Sequence, residues 1–161
     1  PTPRPALADF LEQHYLLIRA ELEAILEIPR EEWTSHVPGA VNAEHLASPG
    51  GWFMLAIVRY GNWNALLCEL APRTCDLLGS RPEISNCTVS NSNIMRLGPG
   101  GMVKPHFGNA PRLSAHLPLI VPEPEAAAMW VGGEEVKWQE GHVVIFDDTY
   151  VHSVRHDGSL P

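Results

Sequence analysis

Two histidines, each near the end of a short β-rich run, are the first residues that could carry chemistry. His106 ends one run, and His152 lies in the last run of the chain. Neutral imidazole is a common ligand for iron, copper, nickel and zinc, so two histidines brought together inside a barrel form a candidate metal site. The chain contains 8 histidines, so their spacing alone is a weak indication.

The residue two positions after His106 counts against an ordinary iron site. Non-haem Fe(II) oxygenases commonly hold the metal with two histidines and one carboxylate, which leaves positions free for co-substrate and oxygen. In the His-x-Asp arrangement the carboxylate would stand where this chain has Gly108. Glycine offers no ligand, so the residues alone leave such a site to be completed by water.

Four further polar residues have ordinary structural interpretations. His116 lies in a leucine-rich run and is interpreted as a core histidine, and Arg112 as a charge at the edge of a strand. The Asp147-Asp148 pair is more typical of a tight turn, because aspartate readily bonds its own backbone there. The pair could also orient His152, a role that metal-bound histidines commonly need.

The elements before Cys87 are predicted to be mixed. Apolar residues at helical spacing predict one amphipathic helix that ends at Pro29, and glycines and prolines indicate an irregular connection after it. A short buried strand and a second helix with Pro72 in its first turn follow. The predicted ranges are a helix over 6–28, a connection over 34–51, a strand over 52–60 and a helix over 72–78.

After Cys87, short β-rich runs alternate with turn residues, which is typical of an all-β barrel or sandwich. A jelly roll has eight strands, so we expect the chain to stop one strand short at Leu160-Pro161. We predict one domain over 1–161, with an N-terminal helical and strand elaboration over 1–86 and an incomplete jelly-roll core over 87–161. The predicted strands cover 88–97, 102–107, 113–121, 127–131, 134–138, 142–146 and 150–155.

Composition excludes some partners. The formal charge is −8 and no cluster of Lys and Arg could follow a phosphate backbone, so we expect no nucleic acid partner. No apolar run approaches the ~20 residues of a membrane span, so we expect no membrane contact from this segment. The chain opens at Pro1 without an initiator Met, so targeting signals are expected to lie outside it.

Several segments, in order, resemble one enzyme family. A Pro-Gly pair followed by Pro-His-x-Gly, an Arg-Leu-x-x-His-Leu-x-Leu strand and a Trp-x-Glu-Gly-x-Val-x-Ile-Phe-Asp-Asp segment all match the aspartyl/asparaginyl β-hydroxylases. These oxygenases have a His-x-Gly motif and a two-histidine iron site, so Gly108 fits the family. The resemblance extends from about Trp52, and more loosely over the first helix. The matching segments are 97–108, 112–119, 138–148 with His152, and 71–78.

The resemblance implies a fold, an activity and a site. The fold would be a double-stranded β-helix, a cupin-like jelly roll preceded by the N-terminal elements. The activity would be Fe(II)- and 2-oxoglutarate-dependent hydroxylation of the β-carbon of Asp or Asn in a peptide or protein, with succinate and carbon dioxide as co-products. His106 and His152 match the iron ligands and carry catalysis, and His116 and Arg112 match residues that line the 2-oxoglutarate and substrate pocket.

The state of Cys68 and Cys75 is relevant to the cellular compartment of the protein. From the residues alone, Cys68 and Cys75 could close a small loop or stay as reduced buried thiols. The resemblance matches them to a disulfide of the animal enzyme, which would fit the lumen of the endoplasmic reticulum with any membrane anchor outside this chain. Neither observation fixes the localisation.

Departures from the family pattern keep alternatives open. The arginine that holds the distal carboxylate of 2-oxoglutarate would fall one residue beyond Pro161, and Ser114 and Met95 replace a family arginine and a family serine. The main alternative is a catalytically inactive jelly-roll descendant that acts as a binding or structural subunit, in a larger assembly for example. A cupin-like binding or isomerase domain ranks below both.

Overall fold

The computed structural model describes residues 4–29, 46–47, 51–87, 91–108 and 110–160. Within them the chain is mainly β, with antiparallel sheets and short helices on the N-terminal side. The helices are α1 (Ala6–Gln13), α2 (Tyr15–Leu26), α3 (Ala65–Leu70), α4 (Pro72–Gly79) and α5 (Pro82–Ser85). The strands are β1 (Trp52–Arg59), β2 (Asn62–Trp63), β3 (Asn91–Leu97), β4 (Met102–His106), β5 (Leu113–His116), β6 (Ala127–Val131), β7 (Glu134–Lys137), β8 (Val144–Asp147) and β9 (His152–His156).

The strands form three antiparallel groups. A four-stranded sheet has the order β4-β9-β6-β7, a three-stranded sheet has the order β2-β1-β3, and β5 pairs with β8. Seven short β-rich runs were predicted after Cys87, and each overlaps an observed strand. The strand predicted over 52–60 and the helix predicted over 72–78 are also confirmed. Most of the connection predicted over 34–51 lies outside the described residues.

The single helix predicted over 6–28 is wrong, because the structure divides it into α1 and α2 at His14. The carbonyl oxygen of Phe10 accepts a hydrogen bond from His14 Nδ1 at 2.8 Å and from the His14 backbone N–H at 3.3 Å. The His14 backbone has φ −103° and ψ 8°, outside the helical range. Apolar spacing continues through this residue, so periodicity alone did not reveal the break.

The sequence analysis also missed α3, α5 and the two-residue β2. The Asn64 side chain caps α3 by accepting a hydrogen bond from the Leu67 backbone N–H at 3.2 Å. A disulfide between Cys68 and Cys75 then joins α3 to α4, which decides between the two interpretations left open for these cysteines. This part of the chain is therefore held as one helical layer.

The helical layer packs on the β-structure through an apolar core. α2 contributes Leu22 and Ile25, β1 contributes Ile57, and α3 and α4 contribute Leu67 and Leu78. In addition, the Glu21 carboxylate of α2 caps the start of α4 by accepting the backbone N–H of Thr74 at 2.8 Å. No helix of the described residues is long and apolar enough to cross a membrane.

A polar junction connects the helices to the loop before β8, and we call it the helix junction: Glu12, Tyr15, Arg19, Glu140 and Val143. The Glu140 carboxylate pairs with Arg19, accepts the Tyr15 hydroxyl at 3.2 Å and accepts the backbone N–H of Val121 at 2.7 Å. These partners lower the pKa of Glu140, the Val121 hydrogen bond most of all. The Glu12 carboxylate accepts the Val143 backbone N–H at 2.6 Å. The junction thus anchors the loop that leads into β8 and its terminal aspartates.

Candidate functional site

The antiparallel pairing of β4 and β9 brings the two predicted histidines side by side. His106 and His152 are register partners, and their ring centroids lie 4.2 Å apart. A register shift between Val103 and His106 separates this pair from the regular part of the ladder. Val103 and His152 are both buried, so this end of the β4–β9 pair is partly shielded from solvent.

Each imidazole uses one ring nitrogen to hold its orientation. His106 Nδ1 lies 2.8 Å from the carbonyl oxygen of Lys104, and His152 Nδ1 lies 2.9 Å from that of Tyr150. A carbonyl oxygen only accepts, so Nδ1 of each ring carries the proton and Nε2 presents its lone pair. Burial also lowers the pKa of His106, which favours the neutral ring. Both side chains therefore offer the nitrogen that a metal ion requires.

A buried carboxylate faces the same nitrogen. Asp148 is 6% exposed, and its Oδ1 lies 3.6 Å from His152 Nε2 and accepts the Ser114 hydroxyl at 3.4 Å. Arg112 Nη2 approaches Oδ2 at 2.5 Å as its charge partner, although no donor of the described residues meets that oxygen with hydrogen-bond geometry. Asp147, by contrast, makes the turn, accepting the Thr149 backbone N–H at 2.9 Å. The two neighbouring aspartates thus have different roles.

Gly108 is required by the position of Asp148. A Cβ atom added at Gly108 would lie 1.9 Å from Asp148 Oδ2, far inside contact distance. The Gly108 backbone N–H donates to the Asp148 carbonyl oxygen at 2.7 Å, so the two segments are also tied together. The Asp148 carboxylate therefore occupies the space that any side chain at residue 108 would need.

The two other predicted site residues lie at opposite ends of β5. His116 stands behind Phe146, whose ring packs edge-on against His116 at 5.0 Å and against His152 at 5.1 Å between centroids. Burial lowers the pKa of His116 to about 4, so this ring is neutral at physiological pH. Arg112 precedes β5 and pairs with Asp148 at the mouth of the site. Arg112 thus contacts Asp148, which in turn lies beside His152. His116 is separated from His152 by the ring of Phe146.

The donor set fits a divalent first-row transition metal held by two protein ligands. In the part of the chain that the structure describes, no group of three or more His, Cys, Asp and Glu side chains could hold a metal ion. Two imidazoles whose Nδ1 atoms are held by backbone carbonyls suit iron, copper or zinc through Nε2, and the nearby carboxylate can bond a coordinated water. The arrangement is consistent with the two-histidine site that Gly108 and its neighbours predict.

The main feature that sequence reasoning missed is the full role of Asp148. Its position in a turn was anticipated, but its burial and its pairing with Arg112 and Ser114 depend on how β5 lies against β8. Phe146 was not singled out either.

Comparisons with known proteins identify the family. A family model described as aspartyl/asparaginyl beta-hydroxylase matches residues 12–161. The chain is 32% identical over 154 residues to human aspartyl/asparaginyl beta-hydroxylase, covering 95% of this chain and 19% of that protein. It is 33% identical over 159 residues to aspartate beta-hydroxylase domain-containing protein 2 of Xenopus tropicalis, covering 94% of this chain and 40% of that protein. The chain spans less than half the length of these curated relatives. It belongs to the aspartyl/asparaginyl β-hydroxylase family.

Proposed function

We propose that the chain is an Fe(II)- and 2-oxoglutarate-dependent dioxygenase that hydroxylates the β-carbon of Asp or Asn residues in a peptide or protein. The observation that carries the proposal is the His106–His152 pair, in which a backbone carbonyl holds each Nδ1 and Asp148 lies beside His152 Nε2. Family membership supports hydroxylation as the reaction. The geometry supports a metal site in which the protein supplies two ligands.

We propose that the β-structure is a double-stranded β-helix. The order β4-β9-β6-β7 supplies one complete four-stranded layer. Among the described residues, β3 pairs only with β1 and β5 pairs only with β8. The second layer would then consist of β3, one further strand, β5 and β8. The two layers together would form the jelly-roll core predicted over 87–161. The elements over 1–86 would then be the elaboration that packs on it.

In this proposal each residue of the site has a defined task. Fe(II), when bound, supplies the activation of oxygen that couples oxidative decarboxylation of 2-oxoglutarate to removal of the β-hydrogen. His106 and His152 would hold it through Nε2, while the Lys104 and Tyr150 carbonyls fix the rings. The Asp148 carboxylate would accept a hydrogen bond from a coordinated water. The protein thus positions the reactants, and its groups need not form a covalent intermediate.

The remaining residues would bind a carboxylate of the co-substrate or substrate and shield the histidine pair from water. Arg112 holds Asp148 with one nitrogen and has further N–H donors, which suit a carboxylate of the co-substrate or substrate. His116 is neutral, so it can donate one hydrogen bond to a bound carboxylate without a charge of its own. Phe146 lies between His116 and His152 and keeps water from the inner side of the His152 ring.

One observation favours the alternative, an inactive jelly-roll descendant that serves as a binding or structural subunit. Arg112 and Ser114 both direct their polar groups at Asp148. Their donors are therefore partly used within the protein, although binding a carboxylate co-substrate needs free ones. In such a descendant the histidines could still bind a metal while no turnover occurs.

The test compares His106→Ala with His142→Ala. His142 is the control because it is exposed and directly precedes Val143 of the helix junction. We expect His106→Ala to lower Co(II) affinity by about 100-fold or more, and His142→Ala to leave it unchanged. Succinate formation with Fe(II), 2-oxoglutarate and an Asp-containing peptide should follow the same order. Metal binding without succinate formation by the full-length protein would support the inactive alternative. Succinate formation that survives His106→Ala would exclude the proposed site.

A further inference from the structure

Asn86, Cys87 and Thr88 form a sequence pattern that the candidate site does not use. An asparagine followed by any residue except proline, and then by Ser or Thr, is the acceptor pattern for N-linked glycosylation. The pattern occurs at this one position in the sequence of 161 residues. Such a short pattern often arises by chance. It carries weight only where the exposure of the asparagine and the compartment of the protein agree with it.

The structure places Asn86 at the exposed end of α5. Asn86 is the residue at which the helix ends, with φ −94° and ψ 0°, and its backbone N–H donates to the Pro82 carbonyl oxygen at 3.0 Å. The Cys87 backbone N–H then donates to the Ile84 carbonyl oxygen at 3.2 Å. Asn86 is exposed, and so are Pro82 and Glu83 on the same helix. The backbone of the acceptor is therefore held in place, while the surface around it is open to solvent.

The disulfide between Cys68 and Cys75 indicates an oxidising compartment. Disulfides persist in secreted proteins and in the lumen of the endoplasmic reticulum, and they are rare in the reducing cytosol. N-linked glycans belong to proteins that pass through the same lumen. The bond joins α3 to α4, and α4 is followed directly in the chain by α5. The disulfide and the acceptor pattern are thus independent observations that indicate one compartment.

The end of α5 is separate from the candidate site. Within the part of the chain that the structure describes, no contact of the histidine pair or of Asp148 comes from α5. The histidine pair lies on β4 and β9, and Asp148 directly follows β8, whereas α5 packs on α4. A bulky, hydrophilic group at Asn86 would therefore cover the surface of the helical layer and leave the contacts of the site unchanged.

We propose that Asn86 carries an N-linked oligosaccharide. The donor is a lipid-linked oligosaccharide diphosphate. The Asn86 amide nitrogen forms a bond to the anomeric carbon of the first sugar, and the bond from that carbon to the diphosphate breaks. The lipid diphosphate leaves with the electron pair, and the amide nitrogen loses one proton, so no oxidant or reductant is needed. Thr88 supplies the hydroxyl that the acceptor pattern requires.

The experiment expresses the full-length protein in cultured animal cells and removes N-linked glycans enzymatically in water enriched in heavy oxygen. Enzymatic release converts a glycosylated Asn to Asp and adds the heavy isotope there, so mass spectrometry identifies the modified residue. We expect the peptide that contains residue 86 to carry the isotope. Before release, Asn86→Gln and Thr88→Ala should each migrate on a gel as a protein with one glycan fewer, whereas Thr88→Ser should keep the glycan.

Asn62→Gln is the matched control, because Asn62 is also exposed but does not begin the acceptor pattern, and it should migrate as the wild type does. Thr88→Ala leaves Asn86 in place, so its loss of the glycan could not come from the loss of the asparagine itself. An unlabelled residue 86 in the wild-type protein would overturn the proposal. A mobility that Asn86→Gln leaves unchanged, or that Asn62→Gln changes equally, would also overturn it. Co(II) affinity should be the same in Asn86→Gln and wild type, so this inference stands or fails separately from the proposed function.

Discussion

Two carboxylates at different ends of the loop region around β8 have contrasting surroundings. Glu140, at the helix junction, has a side chain that is 34% exposed, yet it accepts from a backbone N–H, a hydroxyl and a guanidinium. Asp148, at the candidate site, has a side chain that is 8% exposed. It has one close charge partner, and its contacts to Ser114 and His152 are 3.4 and 3.6 Å long.

The difference shows how the two regions use charge. Glu140 directs its acceptor capacity to structure, because each of its partners lies on another segment of the chain. Asp148 is buried with acceptor capacity left over, which costs stability unless a further group binds. A protein tolerates such a group mainly where function requires it. The contrast thus separates a carboxylate with several structural partners before β8 from one with acceptor capacity left over after it.

The largest expected difference between the two regions is in their response to acid. Burial holds the pKa of His116 near 4 in the folded chain, against about 6.5 when unfolded, so the unfolded chain binds more protons between these values. The contribution of neutral His116 to the free energy of unfolding is therefore present above about pH 6.5 and is lost as the pH falls toward 4. We expect a loss of about 2 kcal/mol between pH 7 and pH 5, measured by urea denaturation in the presence of a chelator.

His116→Gln should remove most of this loss, and the remainder should come from His106, whose pKa burial also lowers. His142→Gln is the control and should keep the wild-type slope. At the helix junction, Glu12 and Glu140 have lowered pKa values, so their contribution is lost only at more acidic pH. A slope between pH 7 and 5 that is the same in His116→Gln and wild type would contradict a buried neutral histidine at the site.

A second expected difference concerns Gly108. Gly108→Ala places a Cβ atom against Asp148 Oδ2, so either the carboxylate moves or the loop does. We expect a loss of about 2 kcal/mol in the free energy of unfolding, together with weaker Co(II) binding. Gly79→Ala is the control, because a Cβ there meets only Trp63 carbons at 3.8 Å. In the Asp148→Gly background the stability cost of Gly108→Ala should largely disappear, and an undiminished cost would show that another contact excludes the side chain.

The smallest expected effects test the comparison directly. Asp148→Asn keeps the size of the side chain but removes its charge, so we expect Co(II) affinity to fall about 10-fold. Glu140→Gln should leave metal affinity unchanged and lower stability by about 1 kcal/mol, since its ion pair with Arg19 is partly exposed. Isothermal titration and thermal denaturation measure the two quantities. If Glu140→Gln weakens metal binding as much as Asp148→Asn does, the two carboxylates do not differ in role.

Local pattern was sufficient for part of the fold. The runs predicted over 102–107 and 150–155 are β-rich and lie between clear turns, so the approximate positions of β4 and β9 followed from the sequence. Pro72 likewise located the start of α4. The break at His14 could not be predicted, because it depends on a side-chain hydrogen bond to Phe10 that apolar spacing does not encode. Helix α3 was missed because its 6 residues are too few to show helical periodicity, and the cap residue Asn64 alone does not predict a helix.

The candidate site shows the same limit. Family motifs selected His106 and His152, and the register of two strands that are far apart in sequence brings them together. Arg112 was expected to line a co-substrate pocket, and that expectation remains a prediction, but its partner Asp148 was not foreseen. A salt bridge between residues on different loops depends on tertiary packing. Pattern reasoning therefore identified the two histidines more readily than the residues that pack around them.

The close approach of Asp148 to Gly108 also limits how this site could change through single substitutions. A side chain at position 108 and the present Asp148 carboxylate compete for the same space, because an added Cβ would lie 1.9 Å from Asp148 Oδ2. Converting the site to a His-x-Asp arrangement by one replacement would therefore force Asp148 or its loop to shift. We expect the effects of substitutions at the two positions to be non-additive. This dependence makes the two-histidine arrangement hard to leave by stepwise mutation.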